Sequence, residues 1–444
     1  MLSVCYEFTM NFFESALQPV LQPFRNLKKS NRVTLVIILS IIFIDLLGAS
    51  LVQAVLPVLF ESKQGLFLKS FNPKVASIIY GVLIASYPIS QLFGAPILGY
   101  LADIHGRKKI IFISMLGTLV SYIMTAVGII TLNIQLIFIA RIVDGFSGGN
   151  LFLAQSVIVD ISPEDKKARN FGLINGSLAL GLILGPVFGG LASTLKIASI
   201  NSLAIPYLAA AIVILINILL VIFILPETLK QKQSKIKLHI FYSFQQIRQA
   251  LKLPKFRAIF ILSFLGSFSF SLFLGFFPKY LADEYRFSVS QISYLSAYIG
   301  FWLAVTVALI LPLIIKKIGQ YKALLISLPV TGVAILITLF VPNSLWFFGT
   351  LPVIGAGMGI ISATILTILS GLSSNQDQAK NLGINQSVQA VATMAPLVGG
   401  FLASVSDTLP LLICSFAYLI ALIVIKFNPQ LEKVKGLDNC LYLP

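Results

Sequence analysis

The chain has 444 residues, of which 57% are apolar and only 11% are charged, and its mean hydropathy is +0.94. A soluble globular domain has about a quarter of its residues charged, so this chain has too few charged side chains to cover a water-soluble fold of its size. The composition excludes most soluble enzymes and nucleic-acid-binding modules, although the formal net charge is +16. The three cysteines, Cys5, Cys414 and Cys440, are scattered along the chain, and the two histidines, His105 and His239, lie far apart in the sequence. We therefore expect no disulfide framework, metal site or cofactor.

Twelve apolar runs are long enough to cross a bilayer as helices, because about 20 residues at 1.5 Å each span the hydrocarbon layer of roughly 30 Å. They cover approximately residues 33–60, 75–101, 109–131, 134–160, 170–195, 203–226, 258–282, 290–315, 321–341, 343–371, 381–404 and 409–427. The predicted fold class is an all-α integral membrane protein with twelve transmembrane helices in two pseudo-symmetric bundles of six.

A single long polar stretch divides the predicted spans into two sets. The expected domains are a cytoplasmic N-terminal segment, an N-terminal bundle, a basic central loop, a C-terminal bundle and a cytoplasmic tail, covering 1–32, 33–226, 227–257, 258–427 and 428–444. Within the loop, apolar residues recur every three or four positions from Ile236 to Leu251, which predicts an amphipathic tether helix on the membrane surface. Residues 11–27 form either an interfacial helix or a tail, and the hydrophobic block that follows is too long for a cleavable signal.

Lys and Arg are distributed unequally between the two sets of loops. With both termini in the cytoplasm, most fall on the cytoplasmic side, and the opposite side holds only Lys63, Lys69, Lys74, Lys196, Lys279 and Arg286. Cytoplasmic loops of membrane proteins carry such an excess of basic residues. The net charge is therefore interpreted as a topology signal in a cell membrane, with the bacterial inner membrane as the expected location.

The two predicted bundles contain similar segments. Arg169-Asn170-Phe171-Gly172 opens the fifth span, and Lys380-Asn381-Leu382-Gly383 opens the eleventh. With one gap, Pro186 matches Pro396 and Gly189-Gly190 matches Gly399-Gly400. Repeated bundles with a substrate site between them are typical of secondary transporters. The sequence has no phosphate-binding loop of an ATP-driven pump.

The loop between the second and third spans reads Gly99-Tyr100-Leu101-Ala102-Asp103-Ile104-His105-Gly106-Arg107-Lys108-Lys109. It resembles the signature loop of the major facilitator superfamily, which has Gly, Leu, Asp, Gly, Arg and a basic residue at these spacings. The resemblance implies a conformational latch formed by Gly99, Asp103, Gly106, Arg107 and Lys108; the alternative is a basic turn that only fixes topology. In the second half the corresponding loop has Lys316 in place of the acidic residue, so we expect a weaker latch or none there.

Further motifs make the resemblance more specific, to one group within this superfamily. The fourth span contains Arg141-Ile142-Val143-Asp144-Gly145, similar to the family's intramembrane Arg motif, although an acidic residue at position 144 is unusual. The fifth span resembles the motif that bends this span in antiporters, through Gly181, Gly185, Pro186, Gly189 and Gly190. The alternative is that these residues serve only helix packing. Together with Asp45-Leu46-Leu47-Gly48 and Leu225-Pro226-Glu227-Thr228, these segments are similar to twelve-span drug/proton antiporters, including tetracycline efflux pumps.

Ionisable residues at membrane depth are costly and are therefore functional candidates. The sequence places Asp45, Arg141 and Asp144 there, and Asp283, Glu284, Asp377 and Asp407 are expected in loops. Burial favours the neutral form of a carboxyl group, and a nearby guanidinium favours the charged form. Asp45 is therefore the expected proton carrier and Arg141 its modulator, with Asp144 sharing the proton or neutralising Arg141. The alternative is a static charge network that only orders helices.

The predicted function is proton-coupled export of an amphipathic small molecule by a monomer within the lipid bilayer. Candidate residues of the substrate path are Gln53, Tyr87, Gln91, Asn150, Gln155, Phe270, Tyr298, Trp302, Asn385, Gln386 and Gln389, because such a path combines apolar area with a few polar groups. A proton-coupled importer of a nutrient or metal chelate is the first alternative. A receptor or assembly subunit that transports nothing is the second. No enzyme activity is expected, since no nucleophile and base occur together.

Overall fold

The structure is a computed structural model that describes residues 29–51, 54–60, 72–162, 164–196, 201–229, 246, 248, 250, 253–340, 343–373 and 377–428. The described residues are helical apart from short connections. Residues 1–28 and most of the central loop lie outside the described residues. Of the helix predicted within that loop, the structure describes only Gln246, Arg248 and Ala250, which are helical.

The α-helices of the first half, in chain order, are α1 (Lys29–Leu51), α2 (Val55–Leu59), α3 (Pro73–His105), α4 (Arg107–Ile130), α5 (Ile134–Ser147), α6 (Asn150–Ile161), α7 (Glu164–Thr194) and α8 (Ile205–Phe223). Those of the second half are α9 (Pro254–Tyr285), α10 (Val289–Val305), α11 (Leu311–Ile318), α12 (Gln320–Leu339), α13 (Phe347–Leu372), α14 (Gln378–Ala392), α15 (Ala395–Ala403) and α16 (Leu409–Lys426). A π-helical turn, Thr306–Ile310, joins α10 to α11, and a 3-10 turn, Ser344–Trp346, precedes α13.

Within the described residues, eleven helical stretches are long and apolar enough to cross a membrane. The remaining predicted span, 381–404, is also helical but is interrupted at Thr393-Met394, so α14 and α15 are each shorter than a full crossing. The fourth span is divided in the same way between α5 and α6 at Gly148-Gly149. The predicted all-α membrane fold is confirmed.

Similar hydrogen bonds occur in the two halves, as their predicted pseudo-symmetry requires. Ser50 Oγ, in the first span, donates to the Gly181 carbonyl of α7 at 2.9 Å, and Ser271 Oγ, in the seventh, donates to the Thr393 carbonyl beside α14 at 2.9 Å. Each bond joins the first helix of a half to its fifth span. They put Ser50 and Ser271 in corresponding roles, although the two acceptors differ by two residues in the register that Pro186 and Pro396 define.

The turns at the basic loops of the two halves provide a second equivalence. Gly106 ends α3 and precedes α4 with φ +108°, and Gly319 ends α11 and precedes α12 with φ +79°. Glycine adopts a positive φ without the steric cost that other residues incur. We call the end of the bundle that carries Gly106, Gly319 and the adjacent Arg107, Lys108 and Lys316 the basic end.

The halves meet near the opposite end, which we call the closed end. A Cβ on Gly81 of α3 would collide with Gly400 Cα of α15 and would lie 2.6 Å from the Pro396 carbonyl oxygen. Beside this contact, Tyr80 Oη donates to the Gly275 carbonyl of α9 at 2.7 Å. The contact between α3 and α15 is therefore backbone against backbone, which only small residues permit.

Replacing Gly81 with Ala should force the halves apart at the closed end, because the backbone of Gly400 cannot yield as a flexible side chain would. The measurement is thiol labelling of a Ser293→Cys reporter, whose serine is fully buried, in a protein with its native cysteines replaced by Ser. We expect labelling several-fold faster than without Gly81→Ala. Gly349→Ala is the control, since a Cβ there meets nothing within 4 Å; equal acceleration by both changes would contradict the steric explanation.

Candidate functional site

The three intramembrane ionisable residues lie in one polar cluster of the first half. Arg141 Nη1 is 3.6 Å from Asp144 Oδ2, one turn along α5, and the guanidinium carbon is 5.1 Å from the centre of the Tyr87 ring on α3. Asp45 of α1 interacts electrostatically with Asp144, Tyr87 and Tyr122 of α4. Four helices thus contribute to a single electrostatic unit inside the membrane-spanning part of the chain.

Close helix packing brings this cluster together. A Cβ on Gly145 would overlap the Tyr87 carbonyl oxygen, so α5 contacts the backbone of α3 one turn beyond Arg141. Ser90 Oγ of α3 also donates to the Ile142 carbonyl at 2.7 Å. On α1, a Cβ on Gly48 would lie 3.3 Å from the Tyr122 hydroxyl, which brings that tyrosine next to the turn of Asp45.

Arg141 is held by opposite charge and by an aromatic face, yet part of its hydrogen-bonding capacity is unused. Its Nε is buried and has no hydrogen-bond partner among the described residues. The ion pair with Asp144 is a single long contact rather than a bidentate one. Arrangements with two parallel hydrogen bonds are the strong and geometrically fixed ones, so this pair can rearrange without losing an optimal geometry.

Several predicted substrate-path residues connect helices instead. Gln91 Nε2 donates to the Gly148 carbonyl at 2.6 Å, at the break between α5 and α6, and Tyr87 stacks on Arg141. Tyr298 Oη donates to the Phe348 carbonyl at 3.1 Å. These polar groups satisfy backbone carbonyls or pack against charge within the membrane.

A cavity of about 220 Å³ lies mainly in the second half, and Gln389 and Phe270 are among its lining residues. We call it the central recess; its wall consists of Leu182, Ser263, Gly266, Ser267, Phe270, Leu303, Met358, Ile361, Ser362, Ile365, Gln389 and Tyr418. Gln389 Nε2 is 3.4 Å from Ser263 Oγ across it. The combination of apolar surface with a few hydroxyl and amide groups is that of a small-molecule site.

The remaining path candidates whose side chains the structure describes do not line the central recess. Asn385 is buried and its Oδ1 has no partner among the described residues, as is also the case for Nε1 of Trp302. Gln386 is exposed on α14, and Gln155 is half-buried in α6. Gln53 and the side chain of Asn150 lie outside the described residues.

The predicted latch residues form a network at the basic end. Arg107 Nη1 contacts Asp103 Oδ1 at 2.7 Å, and Arg107 Nε contacts Asp160 Oδ2 of α6 at 3.4 Å. The backbone N–H groups of Arg107 and Lys108 donate to the Glu227 carboxylate at 2.9 and 3.3 Å. Glu227 therefore caps the N-terminus of α4, where the helix dipole favours negative charge, and a Cβ on Gly106 would collide with its carboxylate.

The residues of the predicted bend motif pack α7 against both halves. A Cβ on Gly181 would lie 2.9 Å from the Phe43 carbonyl oxygen of α1, and one on Gly190 would lie 3.1 Å from Ser293 Cβ of α10. Pro186 lies inside α7, which is continuous through the motif, including Gly185 and Gly189. The motif thus provides the close approaches of α7 to its neighbours.

Two expectations from the sequence are wrong. Asp283 is not a loop residue, and Lys279 does not lie in a loop of the sparsely charged side. Both lie in α9 and are almost completely buried, and Lys279 Nζ donates to the Asp283 carboxylate. Lys279 Nζ is also 3.3 Å from Oδ1 of Asp407, in the loop before α16. Burial is the largest influence on Asp407 and raises its pKa, against the opposing effect of Lys279. The four-residue spacing of Lys279 and Asp283 in an apolar run is the signal that identifies such a pair.

Comparison with known proteins decides the family. The family model of the Major Facilitator Superfamily matches residues 38–395, with a second match over 259–437. The chain belongs to the major facilitator superfamily. Its members are transporters rather than enzymes, so the chain is a multi-pass membrane transporter for small molecules.

Curated relatives of this transporter are resistance proteins. The class C tetracycline resistance protein of Escherichia coli is 28% identical over 375 residues, which cover 84% of this chain and 88% of that protein. The quinolone resistance protein NorA of Staphylococcus aureus is 27% identical over 392 residues, covering 88% and 95%. Among solved structures, a D-xylose–proton symporter aligns with TM-score 0.68 and 15% identity over 90% of this chain and 98% of that one. The last comparison supports the fold alone.

Replacing Glu227 with Gln should lower the free energy of unfolding by about 0.5–1 kcal/mol, because the neutral amide interacts less favourably with the N-terminus of α4. The measurement is thermal unfolding of the purified transporter followed by circular dichroism. Glu284→Gln is the control, since this glutamate lies exposed at the end of α9. Equal effects of the two changes would show that Glu227 does not act through the cap.

Replacing Lys279 with Met should lower the free energy of unfolding by about 3–5 kcal/mol, because it leaves the buried Asp283 carboxylate without this counter-charge. The double change Lys279→Met/Asp283→Leu should recover most of the loss, since it removes both charges. Denaturant unfolding of the single and double variants provides the measurement. A double variant no more stable than Lys279→Met would show that the two charges are not energetically coupled.

Proposed function

We propose that this transporter exports an amphipathic small molecule in exchange for protons, by alternating access from the two membrane faces. The observation that carries the proposal is the cluster of Asp45, Arg141 and Asp144 within the membrane-spanning helices. Ionisable groups at this depth are expensive and mark ion and proton pathways. A transporter driven only by its substrate gradient has no need of such a cluster.

Within the cluster, Asp45 is proposed to carry the proton. Arg141 already has Asp144 as a counter-ion, so protonation of Asp45 does not leave a buried guanidinium uncompensated. The charge on Asp45 can therefore change by one at a smaller cost than the charge on Asp144, whose neutralisation would remove the carboxylate that contacts Arg141. Arg141 in turn stabilises the ionised form of Asp45 through the shared electrostatic environment.

The basic end is proposed to face the cytoplasm, as the distribution of Lys and Arg favours. The conformer described above is then closed toward the outside. In the opposite conformer, the loop of Gly99, Asp103, Gly106, Arg107 and Lys108, which Glu227 and Asp160 hold in place within the first half, would contact the second half and keep the basic end closed. The halves would rock on an interface provided by α7, through Gly181, Gly185, Pro186, Gly189 and Gly190.

Export rather than import is supported by the resistance function named for the relatives in Escherichia coli and Staphylococcus aureus. The proposed location is a bacterial inner membrane, with both termini in the cytoplasm and one chain as the working unit. Residues 33–226 and 258–427 are the proposed moving halves, and 227–257 is the tether between them. Import of a nutrient or chelate would require the opposite dependence on the proton gradient.

Replacing Asp45 with Asn should abolish accumulation driven by a proton gradient while leaving downhill exchange intact. The assay uses inverted vesicles from a bacterial host without its own efflux pumps, with N-phenyl-1-naphthylamine and ethidium as probes. Accumulation on acidification of the vesicle interior indicates export, whereas loss of preloaded probe indicates import. Asp144→Asn is the matched variant; full coupling in Asp45→Asn would remove the assignment, and loss in Asp144→Asn alone would transfer it to Asp144.

A further inference from the structure

The second half has a glycine where the first half has its proton-carrying aspartate. Asp45 is followed by Ser50 and Pro57, and Gly266 is followed at the same distances by Ser271 and Pro278. The register is structural as well, since Ser50 and Ser271 make equivalent bonds to the fifth span of each half. Gly266 is therefore the pseudo-symmetric counterpart of Asp45.

The other two charges of the cluster are replaced in the same way. Gly355 of α13 corresponds to Gly145 of α5, because a Cβ on Gly355 would lie 2.6 Å from the Ile299 carbonyl oxygen of α10, as one on Gly145 would overlap a carbonyl of α3. In this register Arg141 corresponds to Leu351 and Asp144 to Ile354, both of which are fully buried. The charged cluster of one half is thus an apolar region in the other.

The central recess lies where the missing carboxylate would be. Gly266 forms part of its wall, and the described residues that line it include no charged side chain. Their polar side chains are the serines Ser263, Ser267 and Ser362, together with Gln389 and Tyr418, and Phe270 and Met358 provide apolar surface. A ligand charge placed here without an opposite charge would lose its hydration and gain no ion pair.

We propose that the central recess selects an uncharged amphipathic ligand and that Gly266 is the residue that determines this selectivity. The inference rests on the proposed function and specifies its substrate class. A flat apolar body packs against Phe270 and Met358, and a hydroxyl, carbonyl or amine of the ligand bonds to the serine hydroxyls or to Gln389. The proton is handled by one half and the ligand by the other.

The geometry permits a direct test, because the wall has room at Gly266. A Cβ there would lie 3.5 Å from Ile361 Cγ2 and 3.7 Å from Ile365 Cδ1, which is ordinary van der Waals contact. Gly266→Asp and Gly266→Asn introduce side chains of nearly equal size that differ in charge. Gly371→Asp is the control for a new carboxylate elsewhere, since a Cβ on Gly371 meets nothing within 4 Å.

The experiment compares neutral N-phenyl-1-naphthylamine with the permanent cation ethidium, in proton-energised vesicles and in fluorescence binding to the purified transporter. We expect the wild type to favour the neutral probe. Gly266→Asp should reduce neutral-probe transport about tenfold or more relative to Gly266→Asn, and should raise the ratio of cation to neutral binding, because an ionised side chain in the recess disfavours apolar ligands and attracts cations. Gly371→Asp should leave that ratio unchanged.

Two results would overturn the inference while leaving the proposed function in place. One is a wild type that binds ethidium more tightly than the neutral probe, a measurement that needs no variant to fold. The other is an equal cation-to-neutral ratio in Gly266→Asp and Gly266→Asn. Wild-type vesicles that accumulate neither probe against a proton gradient would overturn the proposed function, and this inference with it.

Discussion

A charge inside the hydrocarbon layer is stable only beside an opposite charge, and this constraint determines most of what is particular to this transporter. Arg141 contacts Asp144 within one helix, and Lys279 contacts Asp283 within another and Asp407 from a neighbouring loop. The pairs within one helix are local in sequence, because a helix provides a partner three or four residues away at little cost in chain entropy. Removing one member of such a pair would leave the other charge buried without this partner.

The two halves have kept one scaffold and diverged in its chemistry. Their shared hydrogen bonds, Ser50 to Gly181 and Ser271 to Thr393, fix the same helix contacts. At equivalent positions, however, one half has ionisable groups and the other has Gly266, Leu351 and Ile354. A glycine at position 266 leaves space and introduces no charge, and the proposed ligand cavity uses both properties. In the proposed mechanism, coupling between protonation and ligand binding has to pass through the contact between the halves, since the two proposed sites do not share residues.

The sequence predicts the scaffold well because hydrophobic length and the turn glycines are local properties. The twelve spans and the paired turns at Gly106 and Gly319 require no knowledge of tertiary contacts. The use of Gln91 to satisfy the Gly148 carbonyl is different, because it depends on which helices are neighbours. The burial of Lys279 was missed for a related reason: counting basic residues for topology treats each one as a loop residue. Glu227 shows an intermediate case, in which the motif is recognisable but the cap on α4 is visible only in three dimensions.

The strength of contacts within each half, compared with those between halves, favours movement of the halves as rigid units. Charge networks join helices inside a half: Asp103, Arg107 and Asp160 in the first, and Lys279, Asp283 and Asp407 in the second. Across the closed end, Gly81 meets Gly400 through backbone surface and van der Waals contact, accompanied by the hydrogen bond from Tyr80. Such packing is extensive but individually weak, and it is lost as a whole when the surfaces separate. Separation at the closed end therefore breaks no ion pair described there, whereas deformation of either half would.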